Sequence, residues 1–455
     1  MSHLIGRHDH HGAALDPAAL GEPIGAGMAW HIWIQLTSWM ILMPAGALLG
    51  MRRSPWHVPC QVLAIGLTLS VGFPLGHHHG GRAYLESAHA HFAKPLFYGI
   101  IGMALLGGFL KTHAFQQSAG RRWAVRVHGL VGKALPVAAY TQCVFGGLAL
   151  LGQGYGEHLG QVLAHCIMGS SFVLYGTFML CLQRLGGAWL RRTKRSPDLF
   201  DNTILFLYGL VNTFTEHNFF GQNSSWSHKD MQHTALGVIW VAGGAVGLWL
   251  SRNGQRNLIP AVLLVLTGWA FAGHHQPSEL SMGMHSLFGA LLAGAGFARG
   301  IEVCLVLRDQ ATVDADEPTR TTSFQHLPPL LLVMAGVCFM CSHEEAIALI
   351  EAIGMDHVTY ALGIFSVSFL IYLWALLMLA LYERAGNAKG DPATPSTPSD
   401  GLVAALRGLV RSWFAERDAV KANGHAHSYA PVDERGAAPG PEDDEDSDEY
   451  WKEGH

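Results

Sequence analysis

Residues 126–147 read RVHGLVGKALPVAAYTQCVFGG, a polar start followed by an apolar run in which His128, Gly132, Gln142 and Gly146 recur at helical spacing. Gly146 stands eighteen residues after His128, five full turns on, so the two share one helical face. An imidazole at one end, a glycine four residues later and a polar group toward the other end shape that face to receive a flat macrocycle.

The run is one of many. The chain of 455 residues is 50% hydrophobic and only 14% charged, more apolar surface than a soluble domain of ordinary charge content can hide. Apolar runs recur at approximately 28–50, 58–76, 90–110, 127–151, 161–184, 203–219, 233–250, 258–275, 283–307, 327–350 and 358–382. Each is long enough to cross a roughly 30 Å hydrocarbon layer as a helix. Backbone amides in lipid must be satisfied within their own segment, so all eleven are expected to be helices. The expected fold is an all-α polytopic bundle.

Lys and Arg alternate between the connections, with Arg52, Arg53, Lys111, Arg121, Arg122, Arg126, Arg191, Arg192, Lys194, Arg195, Arg252 and Arg256 all on one side. The positive-inside rule places that side in the cytoplasm, the N-terminus outside and the C-terminus inside. The expected organisation is a His-rich outer tail (1–27), a five-helix half (28–190), a basic linker (191–202), a six-helix half (203–384) and a cytoplasmic acidic tail (385–455). The net charge of -5 comes largely from that tail, in the run 442–449, and so says little about partners; no nucleic-acid partner is expected. Lipid is the expected surrounding, in the secretory pathway or the plasma membrane. Seven cysteines without a CxxC pair read as buried thiols rather than a disulfide framework.

Histidine is the outlier, at 27 residues against 29 Lys plus Arg. In the first half, His31, His57, His89, His128 and His165 open successive apolar runs, with Gln35, Gln61, Ala93, Gly132 and Gly169 four residues on. Only histidines at equal depth can hold one metal axially from opposite sides. That leaves His57 with His128 at the inner side, and His89 with either His165 or His31 at the outer side. Two b-type haems stacked across the bilayer are the expected cofactors. In the stretch 76–92, GHHHGGRAYLESAHAHF, His77, His78 and His79 read as an outer loop and His89, before His91, as the ligand.

The second half gathers Glu216, His217, His228, His233, His274, His285 and His343 on the outer side. Such a mixture suits a divalent metal, a proton relay or a hydrogen-bonded network.

The stretches HIWIQLTSWMILMPAGALLG, WHVPCQ and HGLVGKALPVAAYTQCVFGG resemble successive helices of the cytochrome b-561 fold. Residues 28–384, with LYGLVNTFTEHNFFGQNSSWSHKDMQHTALGVIW, NLIPAVLLVLTGWAFAGHH and MHSLFGALLAGAGFARGIE, look like the fungal membrane proteins known as the yeast putative transmembrane protein family, which brings no settled activity. The b-561 likeness implies four consecutive helices, each giving one histidine. It therefore leaves His31 with His89, or His89 with His165, as the outer pair. It also implies a transmembrane oxidoreductase that takes an electron from a small cytoplasmic donor such as ascorbate, near Arg52, Arg53, Arg121, Arg122 or Arg126, and passes it to an outer ferric or radical acceptor. The reading from a different class is a haem-free transporter or metal-binding protein using the outer His/Glu clusters.

Overall fold

The computed structural model describes residues 23–77, 84–112, 114–215, 226, 228–273, 276, 278–312 and 321–387. The helices run α1 Ala26–Met51, α2 His57–Leu75, α3 Ala88–Lys111, α4 Ala119–Leu151, α5 Leu159–Leu185, α6 Gly187–Thr193, α7 Pro197–Thr215, α8 His228–Leu250, α9 Ile259–Ala272, α10 Glu279–Val306, α11 Ser323–Met340, α12 Glu344–Ala352 and α13 His357–Asn387. Nine of those described are long and apolar enough to cross a membrane, and the chain is an all-helical polytopic membrane protein. The other two expected spans correspond to α7 and α9. The first has Asp198 and Asp201 in its opening turns and is described only to Thr215; the second has 14 residues.

Local chemistry sets the helix ends. The hydroxyls of Ser87, Ser118 and Ser278 accept from the amides of Ala90, Arg121 and Ser281 at 3.4, 3.1 and 3.2 Å, satisfying donors that a helix start leaves open. At its far end α4 stops at Gly152, whose φ of 69° is the left-handed conformation that glycine adopts without strain.

Two cores organise the bundle. The smaller lies among α1–α4 and consists of Trp39, Met43, Ala64, Ile100 and Ala139. The larger is built from α5 and α8–α13, around Val173, Leu264, Phe271, Phe288, Leu292, Leu332 and Phe339. By packing, the fifth helix joins the second core. A Cβ on Gly336 of α11 would lie 2.5 Å from the carbonyl oxygen of Gly169 and 2.8 Å from the Val173 amide nitrogen. Small residues facing each other bring the α5 and α11 backbones together where lipid supplies no hydrophobic drive for helix association. Gly169 is therefore a crossing point, and the notch expected beside His165 is filled by α11.

Replacing Gly336 by Leu must part α5 from α11. The expected outcome is a loss of about 1–3 kcal/mol, read as a lower melting temperature of the detergent-solubilised chain. Gly363→Leu is the control, since a Cβ there meets nothing within 4 Å and should leave the melting temperature unchanged.

Candidate functional site

Helices α1 and α2 carry the same framework. His31, Gln35, Gly46 and Gly50 are followed by His57, Gln61, Gly72 and Gly76, each 26 residues on. The two helices run antiparallel, so the start of each meets the end of the other. His31 Nδ1 lies 2.6 Å from the Gly72 carbonyl oxygen, and His57 Nδ1 lies 2.7 Å from that of Gly46. A Cβ on Gly76 would come within 2.8 Å of the His31 ring, and one on Gly50 within 2.6 Å of the His57 ring. Each imidazole reaches its carbonyl because a glycine stands beside it.

Helices α3 and α4 repeat the device. His89 precedes Gly107 by eighteen residues, as His128 precedes Gly146. A Cβ on Gly146 would meet the His89 ring at 3.1 Å, and one on Gly107 the His128 ring at 3.3 Å. Seven and eleven residues after each histidine, Leu96 matches Leu135 and Ile100 matches Ala139 in the small core. The four helices thus form an inverted repeat exchanging α1 with α2 and α3 with α4, a construction common in membrane proteins.

This symmetry produces two equivalent histidine pairs at opposite ends of the unit. The His31 and His89 ring centroids are 6.2 Å apart at an interplanar angle of 87°; those of His57 and His128 are 6.2 Å apart at 86°. Two imidazoles that ligate one metal through Nε2 from opposite sides, at about 2 Å each, place their centroids roughly 6.3 Å apart. A carbonyl only accepts, so Nδ1 carries the hydrogen in His31, in His57 and in His89, which lies 3.1 Å from the Gln142 carbonyl. Nε2 therefore keeps its lone pair, in the tautomer of a metal-bound histidine whose other ring nitrogen donates to a carbonyl. Gln142 returns a bond from Nε2 to the His89 carbonyl at 3.0 Å, fixing α3 against α4. His128 Nδ1 is buried without a partner, and beside it Gly132 faces only the Met103 side chain, at 3.8 Å. Donor type and separation suit an axially ligated macrocycle at both pairs.

The remaining expected ligands fall elsewhere. His165 sits 6.0 Å from His285 and 6.2 Å from His343 by ring centroids, in the larger core. His165 Nδ1 donates to the Gln161 carbonyl at 2.9 Å and His285 Nδ1 to that of Ser281 at 2.9 Å, both within their own helices. Phe339 stacks on the His165 ring at 4.5 Å and 12° and lies 6.3 Å from His285. The phenyl ring thus occupies space that a macrocycle held by both imidazoles would need, so this pair does not fit a haem. His343 caps α12, its Nδ1 accepting from the Ala346 amide at 3.2 Å, and burial holds its pKa down at about 4. That acceptor role puts the neutral ring's hydrogen on Nε2, the wrong tautomer for binding a metal there. His233 neighbours the Phe271 ring at 6.4 Å. Among the described residues, no three His, Cys, Asp or Glu side chains converge on a metal position. Glu216, His217, His274 and the side chain of His228 lie outside the described residues, as do the N-terminal tail through residue 22 and the acidic tail from residue 388.

In the other histidine-rich stretch, His91 is exposed and pairs with Glu86 at 3.2 Å, while His77 lies 3.1 Å from the Phe73 carbonyl. At the His57 end, Arg121 closes α3 by donating to the Ala114 and Leu110 carbonyls at 2.8 and 2.7 Å. Arg52 lies over the Tyr382 ring at 4.6 Å, and Arg53 is exposed.

Sequence reading missed two features. The 26-residue repeat was visible in the spacing of histidine, glutamine and glycine. A buried charge cluster around Arg299 was flagged only by Arg299 and Glu302 standing within an apolar run, where ionisable groups are costly unless paired.

The family described as Protein YTP1-like, C-terminal, matches residues 138–383, and a Domain of unknown function (DUF2427) matches residues 16–113. Protein YTP1 of Saccharomyces cerevisiae is 37% identical over 293 residues, covering 63% of this chain and 61% of that protein. An uncharacterized membrane protein of Schizosaccharomyces pombe is 24% identical over 445 residues, covering 70% of this chain and 86% of that one. A second uncharacterized membrane protein of Saccharomyces cerevisiae is 25% identical over 275 residues, covering 50% and 43%. The chain thus spans about three-fifths of the first relative's length. No solved structure matches. With the YTP1-like match alone covering just over half of the 455 residues, the chain belongs to the YTP1-like family of fungal membrane proteins.

Proposed function

We propose that the chain carries electrons across the membrane through two b-type haems, one held by His31 and His89, the other by His57 and His128. The observation that carries this reading is the matched 6.2 Å separation of both pairs, at the value axial ligation requires. Haem b, when bound, supplies one-electron chemistry tuned by its ligands and by burial. The protein's own part is positioning. Backbone carbonyls of Gly72, Gly46 and Gln142 hold the imidazoles in the ligating tautomer. Trp39, Met43, Ala64, Ile100 and Ala139 form an apolar layer midway along the helices, between the pairs.

The arrangement of lysines and arginines places the His57–His128 pair toward the cytoplasm. Exposed Arg53 stands there as a docking charge for a small anionic donor such as ascorbate. The acceptor at the His31–His89 side is ferric iron or an organic radical, and the chemistry is that of a transmembrane oxidoreductase.

The test is the reduced-minus-oxidised absorbance of the full chain, produced with ample haem. His57→Ala and His128→Ala should each remove the same half of the b-type signal, and His31→Ala and His89→Ala the other half. His165→Ala should remove neither. A wild-type chain without a b-type band would overturn the reading in favour of a haem-free transporter or metal-binding protein. Loss of a haem in His165→Ala, with both kept in His31→Ala, would overturn the outer pair.

A subtler substitution reaches the same pair through its glycine. Gly50→Val puts side-chain carbon where the His57 imidazole now lies, 2.6 Å from a Cβ, and should cost the haem of that pair alone. Gly99→Val, with nothing within 4 Å of its Cβ, should keep both by the same absorbance.

A further inference from the structure

The second core encloses a set of charges that electron transfer does not use. Asp198 and Asp201 come from the first turns of α7, Arg256 from the α8–α9 connection, and Arg299 and Glu302 from the far part of α10, where Glu302 opens a π-helical turn, Glu302–Val306. Asp198, Asp201, Arg299 and Glu302 are each exposed by 3% or less. Arg299 organises them: Nη1 donates to Glu302 Oε2 at 2.7 Å, and Nη2 to Asp198 Oδ1 at 2.8 Å and to Asp201 Oδ2 at 3.3 Å. Arg256 Nη1 stands 3.8 Å from Asp198 Oδ2. Three carboxylates face two guanidinium groups, so with all ionised one negative charge remains uncompensated in the buried core, where an unpaired charge is costly.

The geometry identifies the acid that carries the excess. Glu302 is served on both oxygens, since Oε1 accepts from Gln183 Nε2 at 3.4 Å and from Gln325 Nε2 at 3.2 Å. Asp198 Oδ2 also takes no hydrogen bond, but Arg256 stands 3.8 Å from it and Arg299 holds Oδ1, so this carboxylate has a guanidinium on each side. Asp201 has the longest of the three Arg299 contacts, and its Oδ1 is buried with no partner. From α5 the Tyr175 hydroxyl, in a side chain 5% exposed, faces this carboxyl without closing a hydrogen bond of normal geometry to it. The Tyr175 hydroxyl can donate to an ionised Oδ1 or accept from a protonated one, and only the protonated carboxyl also removes the surplus charge.

We propose that Asp201 is a proton-binding site, holding one proton between its Oδ1 and the Tyr175 hydroxyl while Arg299 neutralises the carboxylates beside it. The groups facing it are Tyr175 from α5, Asp198 on its own helix, Arg256 from the connection, and Arg299 and Glu302 from α10. An exchangeable proton on a buried carboxyl that joins α5, α7 and α10 links the packing of the second half to pH. This chemistry is independent of the haem ligands.

The test is thermal melting of the full chain in detergent from about pH 5 to about pH 9, for wild type and Asp201→Asn. The folded chain holds a proton that the unfolded chain releases above the ordinary carboxyl range. Folding stability should therefore fall as pH rises, by up to about tenfold in the folding equilibrium per pH unit. Asp201→Asn, neutral at every pH, should lack that fall and gain on wild type toward alkaline pH. A variant weaker than wild type by one constant margin throughout would overturn the proposal, since Asp201 would then be an ionised partner of Arg299. Stabilisation by sodium, potassium or magnesium at fixed pH, lost in Asp201→Asn, would overturn it in favour of a cation. Should that variant fail to assemble, infrared spectra of wild type decide: a protonated-carboxyl band near neutral pH, shifted in heavy water, is expected, and its absence contradicts the proposal.

Discussion

The contact on which the first four helices depend is an imidazole lying against a glycine of a neighbouring helix. Without a Cβ at Gly76, Gly50, Gly146 or Gly107 in the way, a histidine ring fits against helix backbone. There His31, His57 and His89 place the Nδ1 hydrogen on a carbonyl. In lipid such a bond has no competing water, so ring orientation and tautomer are fixed together, with the opposite ring centroid 6.2 Å away. The same arrangement, used once in each direction, gives two sites related by inverted symmetry. An electron carrier needs such a construction, because two like centres at different depths divide one thick insulating layer into shorter intervals.

The second half follows another logic. Its helices close on one another through small residues, as where Gly169 meets Gly336, and its centre is filled by Phe271, Phe288 and Phe339. His165 is drawn into this aromatic packing and belongs with His285 and His343 instead of with His89. At the other end of the same core, Arg299 gathers three acids from two helices. The buried Arg299–Asp198 pair ties α7 to α10 at a defined register, since breaking it leaves an unpaired charge in the core.

Much of this was legible in the sequence, and the gaps have physical reasons. Apolar length marked the helices because lipid imposes it. Equal depth was enough to pair His57 with His128, while two partners for His89 stayed open. Choosing between His31 and His165 depended on which helices pack together, and that is decided by side-chain shape at Gly169 and Gly336, far apart in the chain. The notch was expected on each histidine's own helix, four residues on. The structure supplies it chiefly from the neighbouring helix, where a spacing rule within one segment does not reach. The acid cluster escaped for a related reason: Arg299 lies about a hundred residues from Asp198 and Asp201, and nothing local in α7 announces a partner.

The claim that stands or falls first is that both histidine pairs hold haem. Quantifying pyridine-extracted haem against polypeptide in the purified full chain, after expression with ample haem supply, tests it most directly. The account predicts two b-type haems per chain. A chain that purifies folded and free of haem under those conditions would contradict it.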